Sequence, residues 1–183
     1  VVEREYRVGG QEHAYMEPQG CLAIPEGRSR ITIVTSCQCP FYVQHGVASV
    51  LGLPLAAVRV EQAPTGGGFG GKLDLSVQPY VALATWLTGR PSRLVYSREE
   101  SFLASGKRHP YVIKHRTGVK RNGRLTAAEI DVISDSGAYP YLSPYVLLYT
   151  LVMSTGPYRV DNVRVDAATV ATNNPYTSAF RGF

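Results

Sequence analysis

Gly66-Gly67-Gly68-Phe69-Gly70-Gly71-Lys72 is the segment whose residue types and spacing point most directly to chemistry. So many glycines are costly in the entropy lost on folding. They are expected where the backbone must turn sharply or approach a ligand closely, and a tight packing turn is the alternative. Backbone amides uncovered by side chains can donate to an oxyanion, above all beside a helix N-terminus. Two local patterns compete. Gly66 to Lys72 fits the G-x-x-x-x-G-K of a phosphate loop, but Leu73 stands where a Ser or Thr should hold magnesium. Gly66, Gly68 and Gly71 also fit the G-x-G-x-x-G of a dinucleotide fold, with Glu99 near the place of a ribose-binding acid. Local pattern alone leans towards a dinucleotide-binding βαβ unit. Pro64-Thr65 before the loop and the lack of alternating βα units elsewhere count against it.

Other chemistry-bearing residues are sparser. His13 and Glu17 are spaced as a helical metal pair would be, although structural hydrogen bonding is the reading adopted for both. His45, His109 and His115 show no ligand spacing. Cys21, Cys37 and Cys39 are too few for a disulfide framework, and Cys37-Gln38-Cys39 is too tightly spaced for a zinc knuckle. They read as structural thiols.

The elements that must position these residues are mixed. Strands are expected at Glu3–Val8, Cys21–Ile24, Ile31–Thr35, Val58–Gln62, Arg93–Tyr96, Tyr111–Lys120, Leu125–Ser134 and Val163–Thr172. Pro40 opens a helix that runs to Leu51 and stops at Gly52. Helical spacing from Asp74 to Leu87 predicts a second helix, ended by Thr88-Gly89-Arg90-Pro91. Shorter helices are expected at Arg98–Ala104 and Ser143–Ser154. Asn122-Gly123 marks a hairpin. The fold class is α+β: a mixed or antiparallel sheet with helices packed on one side. One domain, or two small lobes, suits the 183 residues.

Composition narrows the partners. Hydrophobic residues make up 44% and charged residues 18%, an ordinary globular balance. The net charge of +5 comes from scattered basic residues, with small clusters at Lys107-Arg108-His109 and Lys120-Arg121. No basic stripe interleaved with aromatics is present, so no nucleic-acid partner is expected. The longest apolar stretch, Tyr145 to Met153, is too short to span a membrane. No signal peptide is visible, and a cytoplasmic location is the default expectation.

Three separated motifs carry a family resemblance: Gly9-Gly10-Gln11-Glu12-His13-Ala14-Tyr15-Met16-Glu17, the glycine loop, and Ala179-Phe180-Arg181-Gly182-Phe183. In order and spacing they resemble the molybdenum hydroxylases of the xanthine dehydrogenase/aldehyde oxidase family. Thr88-Gly89-Arg90-Pro91, Arg98-Glu99-Glu100 and Gly106-Lys107-Arg108-His109-Pro110 agree as well. The resemblance covers nearly the whole chain and implies a segment of the molybdopterin-binding large subunit. It implies insertion of oxygen from water into a C–H bond of an aldehyde or an N-heteroaromatic ring. It also implies a molybdopterin-type cofactor, with a cytosine dinucleotide form among those that bacterial members use. Electrons would leave through Fe-S clusters, with FAD, on other domains or subunits. The pterin holds the molybdenum, so no side chain of this chain is expected as a metal ligand.

Carried over by position, the resemblance assigns Gln11 a hydrogen bond to an oxygen ligand of molybdenum. It places the backbone of Gly68, Phe69 and Gly70 against the cofactor, with no room for a side chain on Gly70. It gives Arg181 a place at the cofactor and substrate pocket, where a planar guanidinium can orient a carbonyl or carboxylate. Xanthine-oxidising members carry a glutamate directly after the loop lysine, and Leu73 stands there instead. That points to another heteroaromatic substrate, such as nicotinate, or to an aldehyde. The family's general-base glutamate comes from segments beyond position 183. The chain is therefore expected to be part of a longer subunit and not catalytic alone.

Overall fold

A computed structural model describes residues 1–182; Phe183 of the third motif lies outside them. The elements are β1 (Val2–Val8), β2 (Gly20–Glu26), β3 (Arg30–Thr35), α1 (Pro40–Leu51), β4 (Val58–Gln62), α2 (Gln78–Thr88), β5 (Ser92–Val95), α3 (Arg98–Ala104), β6 (Lys107–Arg108), β7 (Tyr111–Val119), β8 (Leu125–Gly137), α4 (Ser143–Met153), β9 (Val163–Ala171) and β10 (Thr177–Ser178). They form two compact units, one made of Val1–Glu12 together with the chain from Gly106 onward, the other of His13–Ser105.

The second unit carries a four-stranded sheet in the order β4-β3-β2-β5. β2 runs antiparallel to β3 and to β5, whereas β3 and β4 are parallel and joined by α1. Alternation along β2 and β3 turns Cys21, Ala23, Ile31 and Ile33 inward, against Val43 and Val47 of α1 and Val81 and Ala82 of α2. Burying each large aliphatic side chain here contributes about 1.5–3 kcal/mol. α1 begins at Pro40 and ends at Gly52, which takes the left-handed conformation of a helix stop (φ 65°).

α2 starts at Gln78, later than the Asp74 expected from apolar spacing. Pro79 explains the difference, because a proline lacking an N–H is tolerated only in the first turn. Upstream, Ser76 N donates to Gln78 Oε1 at 2.8 Å, so the approach to the helix is held in a non-helical path. α3 opens on a reciprocal cap in which Ser97 and Glu100 each accept the other's backbone amide.

The first unit has a four-stranded sheet ordered β1-β7-β8-β9. β7 is antiparallel to both β1 and β8, and the β7–β8 turn closes at Gly123 (φ 86°) as the Asn-Gly signal requires. β8 and β9 are parallel, joined by a crossover through α4. Ala128, Ile130 and Val132 of β8 form its core with Tyr111, Ile113, Val165 and Ala167. The short β6 pairs in parallel with β10, placing Lys107 opposite Thr177 and Arg108 opposite Ser178. Asp135 anchors the approach to β10. Its Oδ1 accepts from Gly137 N (2.8 Å) and Thr172 Oγ1 (2.7 Å), and its Oδ2 from Asn174 Nδ2 (2.6 Å).

His109 lies beside this arrangement, 1% exposed, with Nε2 at 2.7 Å from Ser143 Oγ at the start of α4. Burial pushes its pKa down from 6.5 to about 4, against smaller upward pulls from the Ser178 backbone and Asp135. The unfolded chain takes up this proton near pH 6.5, and the folded chain refuses it until about pH 4. Stability present above 6.5 is therefore lost as pH falls towards 4. Urea titrations stepped across that range should show a falling midpoint that flattens in His109→Gln. Equal slopes in the two proteins would contradict this account.

Among the described residues, no helix is long and apolar enough to cross a membrane.

Candidate cofactor site

The candidate residues divide between the units: Gln11 and Arg181 in the first, the glycine loop and Leu73 in the second. In the first unit, Gln11 sits just after β1 and forms an isolated bridge with Arg108 of β6. Arg108 N donates to Gln11 O at 3.0 Å. The next residue, Glu12, turns inward and pairs with Lys107 Nζ at 2.7 Å. The Gln11 side chain is thereby turned outward, with Nε2 making one long contact to Glu12 O (3.3 Å). Arg181 follows β10 and is exposed, while Ala179 and Ser178 before it are buried. The first and third motifs thus meet on the two sides of β6.

In the second unit the loop leaves edge strand β4 and is clamped from beneath. Gln38 Oε1 accepts from Gly70 N (2.9 Å) and Lys72 N (3.2 Å), and Gln38 N donates to Lys72 O (2.8 Å). Gln19 Nε2 donates to Gly71 O at 2.7 Å, and Gly66 N donates to Glu17 Oε2 at 2.8 Å. A Cβ on Gly68 would lie 2.6 Å from Gln38 Oε1, and one on Gly71 would lie 2.7 Å from the Tyr15 ring. Close approach by the protein's own side chains therefore accounts for part of the glycine density that the sequence suggests is for a ligand.

The loop's polar groups sort accordingly. The amides of Gly70, Gly71, Lys72 and Leu73 donate within the protein, and Gly70 O accepts from Leu73 N. Gly70 thus has its own backbone groups engaged internally, and its left-handed φ of 102° accounts for the glycine. Among the described residues, the amides of Gly67, Gly68 and Phe69 are not spent in this way. Phe69 is a non-glycine residue at φ 51° and is 50% exposed. Such a conformation is uncommon outside glycine and asparagine and persists where surrounding contacts impose it. The tip Gly67–Phe69 is thus distinct from the internally bonded base of the loop.

Lys72 is 1% exposed, and its ammonium pairs with Glu17 and donates to Ser36 Oγ at 3.2 Å. It also lies over the Tyr15 ring, 5.0 Å from the centroid. Burial pushes the Glu17 carboxyl up, but hydrogen bonds from Lys72 and the Gly66 amide outweigh it and hold the pKa below 4.5. A phosphate-loop lysine must reach outward, and this one is turned into the core. The dinucleotide pattern fares no better. β5 joins the far edge of the sheet antiparallel to β2, so β4, α2 and β5 do not form a βαβ unit. Glu99 lies in the first turn of α3, exposed. His13 to Glu17 is not helical, and Glu17 serves the structural hydrogen bonding expected of it.

Leu73 is half-buried, directly after the buried lysine. Sequence reasoning missed Gln38, Gln19 and Arg108. A lone glutamine gives no local signal when its partners lie 32 or 52 residues away. Gly106–Pro110 stands out as a stretch, with no role attached to its arginine.

In the second unit the loop tip carries backbone amides, and in the first unit Gln11 and Arg181 carry an exposed carboxamide and an exposed guanidinium. The two sheets and their helices define an α+β fold. The chain belongs to the family described as molybdopterin cofactor-binding domain, whose profile matches residues 1–183. It is 46% identical to the nicotinate dehydrogenase large molybdopterin subunit of Eubacterium barkeri, covering all of this chain and 43% of that one. It is 37% identical to aldehyde oxidase 3 of Rattus norvegicus, covering all of this chain and 14% of that one. The aldehyde oxidoreductase from Desulfovibrio gigas superposes with a TM-score of 0.95 at 30% identity, over 100% of this chain and 20% of that one. The chain therefore spans less than half the length of these relatives.

Proposed function

We propose that this chain forms part of the molybdopterin-binding large subunit of a molybdenum hydroxylase acting on an N-heteroaromatic ring that bears a carboxylate. The observation that carries the substrate class is Leu73, taken with the 46% identity to a nicotinate dehydrogenase subunit. An apolar side chain next to the loop gives a purine no hydrogen-bond partner, and Arg181 offers a bidentate partner to a carboxylate. An aldehyde is the second substrate class compatible with an apolar wall.

When bound, the molybdenum cofactor supplies the two-electron oxidation and the oxygen drawn from water. The chain's own residues bind and orient. Gln11 would hold the cofactor through Nε2, a carboxamide donor that suits an oxygen atom and does not compete for the metal. The amides of Gly68 and Phe69 would face the cofactor, with Gly70 beside them in a conformation that favours glycine. Arg181 holds the substrate and stabilises negative charge developing on it. No side chain of this chain ligates the metal. The rest of the large subunit supplies the general base, and Fe-S and FAD domains or subunits receive the electrons. A cytosine dinucleotide form of the pterin is compatible with this reading. The free thiols Cys21 and Cys37, both buried, suit the reducing cytoplasm.

Steady-state assays of the intact enzyme with nicotinate, xanthine and an aromatic aldehyde test the assignment. Turnover should be fastest with nicotinate, and rapid xanthine oxidation would sink the argument from Leu73.

A further inference from the structure

The geometry points to Arg108 as a positioning residue that fixes Gln11 and Arg181 for their work on cofactor and substrate. The inference rests on the reading of those two residues given above. Arg108 occupies the crossing between their two motifs. Its backbone N–H donates to Gln11 O at 3.0 Å, and its Nη2 donates to Gly9 O at 2.9 Å. On its other side the backbone pairs with Ser178 of β10, and the guanidinium lies 5.7 Å from the centroid of the Phe180 ring, directly before Arg181. One residue thus grips the N-terminal motif through two carbonyls and the C-terminal motif through a strand pairing and an aromatic face.

Two features say that the side chain is held here for more than packing. Its Nε is buried and has no hydrogen-bond partner among the described residues, a desolvation cost a structural site would ordinarily avoid. The planar fork that reaches Gly9 O while lying over Phe180 is also something a lysine ammonium cannot reproduce. β6 is only two residues long and β10 only two, so their ladder alone holds the Ala179–Arg181 segment weakly. Supporting groups of this kind around a metal cofactor cost about 10- to 100-fold in activity when removed.

The test uses the complete holoenzyme and the variants Arg108→Met and Arg108→Lys. Rate per bound molybdenum should fall about tenfold or more in Arg108→Met. It should fall less in Arg108→Lys, which keeps the charge. In an Arg181→Ala background the added loss should be smaller, because one of the two residues through which Arg108 acts is no longer there. Full, additive losses in both backgrounds would overturn the proposal. Independently of activity, amide hydrogen exchange should quicken in peptides covering residues 9–12 and 177–181, and stay unchanged in 125–137. Unchanged exchange at both motifs would overturn it too, even if Arg108→Met proves hard to produce and only the lysine variant is read. If Arg181→Ala itself leaves the rate intact while exchange quickens, the functional reading of Arg181 fails and the proposal with it; quickened exchange alone then records a structural role.

Discussion

Glu17→Ala should lower the stability of the second unit by about 3 kcal/mol, the usual cost of stranding a buried charge. Lys72 has no solvent exposure along its side chain, and Glu17 is the carboxylate that neutralises it. Without that partner the ammonium is left with Ser36 Oγ and the Tyr15 ring. Glu17 also accepts from Gly66 N, so the loop's first turn loses its tie at the same time. A paired replacement, Glu17→Ala with Lys72→Met, should recover much of the loss, because an apolar side chain leaves no charge to solvate. Trp86, the single tryptophan, lies in α2 and reports urea unfolding of this unit by fluorescence. An unchanged midpoint in the single variant would refute the account. The pH dependence has a definite sign. The Glu17 pKa is held below 4.5 in the folded chain, so the pair's contribution is present above that value. It disappears as pH falls through the folded pKa.

Arg181→Ala in the intact enzyme should reduce kcat/KM about a hundredfold or more, the typical cost of losing a donor to developing charge. Molybdenum content should change little, since the other donors, Gln11 and the Gly67–Phe69 tip, are untouched. Arg181→Lys should fall between, because an ammonium keeps the charge but loses the flat two-pronged face. Wild-type rates in both variants, with metal analysis showing full loading, would remove Arg181 from the site.

Much of the fold is legible in the sequence where the signal is local. Pro40 and Gly52 bracket α1, Asn122-Gly123 turns β7 into β8, and Ser97 with Glu100 caps α3. The start of α2 is misplaced when apolar spacing is weighed above Pro79, whose missing N–H decides where a helix can begin. Sheet order is not legible. Nothing near Ser92 shows that β5 joins β2 rather than β4, since strand partnership depends on contacts about 70 residues apart. The loop shows the same limit. Its glycines stand out, but the division into a clamped base and a free tip depends on Gln38, Gln19 and Glu17, which arrive from elsewhere in the chain. Lys72 fits the lysine of a phosphate-loop pattern in the sequence, whereas its ammonium is turned inward.

The second unit is an insertion between β1 and the rest of the first, and this orders events in time. Residues 13–105 form a compact unit of contiguous chain, so the strands of its sheet find their partners within that stretch. β1 has no such partner nearby: it pairs with β7, whose residues lie more than 100 positions further on. Gln11 and Arg181 are further apart still. At a synthesis rate of about 5–20 residues per second the delay between them is roughly 10–30 s. During that interval the first strand is an unpaired edge, open to wrong partners. A nascent chain would therefore complete the glycine loop before the Gln11–Arg108–Ser178 crossing, which has to wait for β6 and β10.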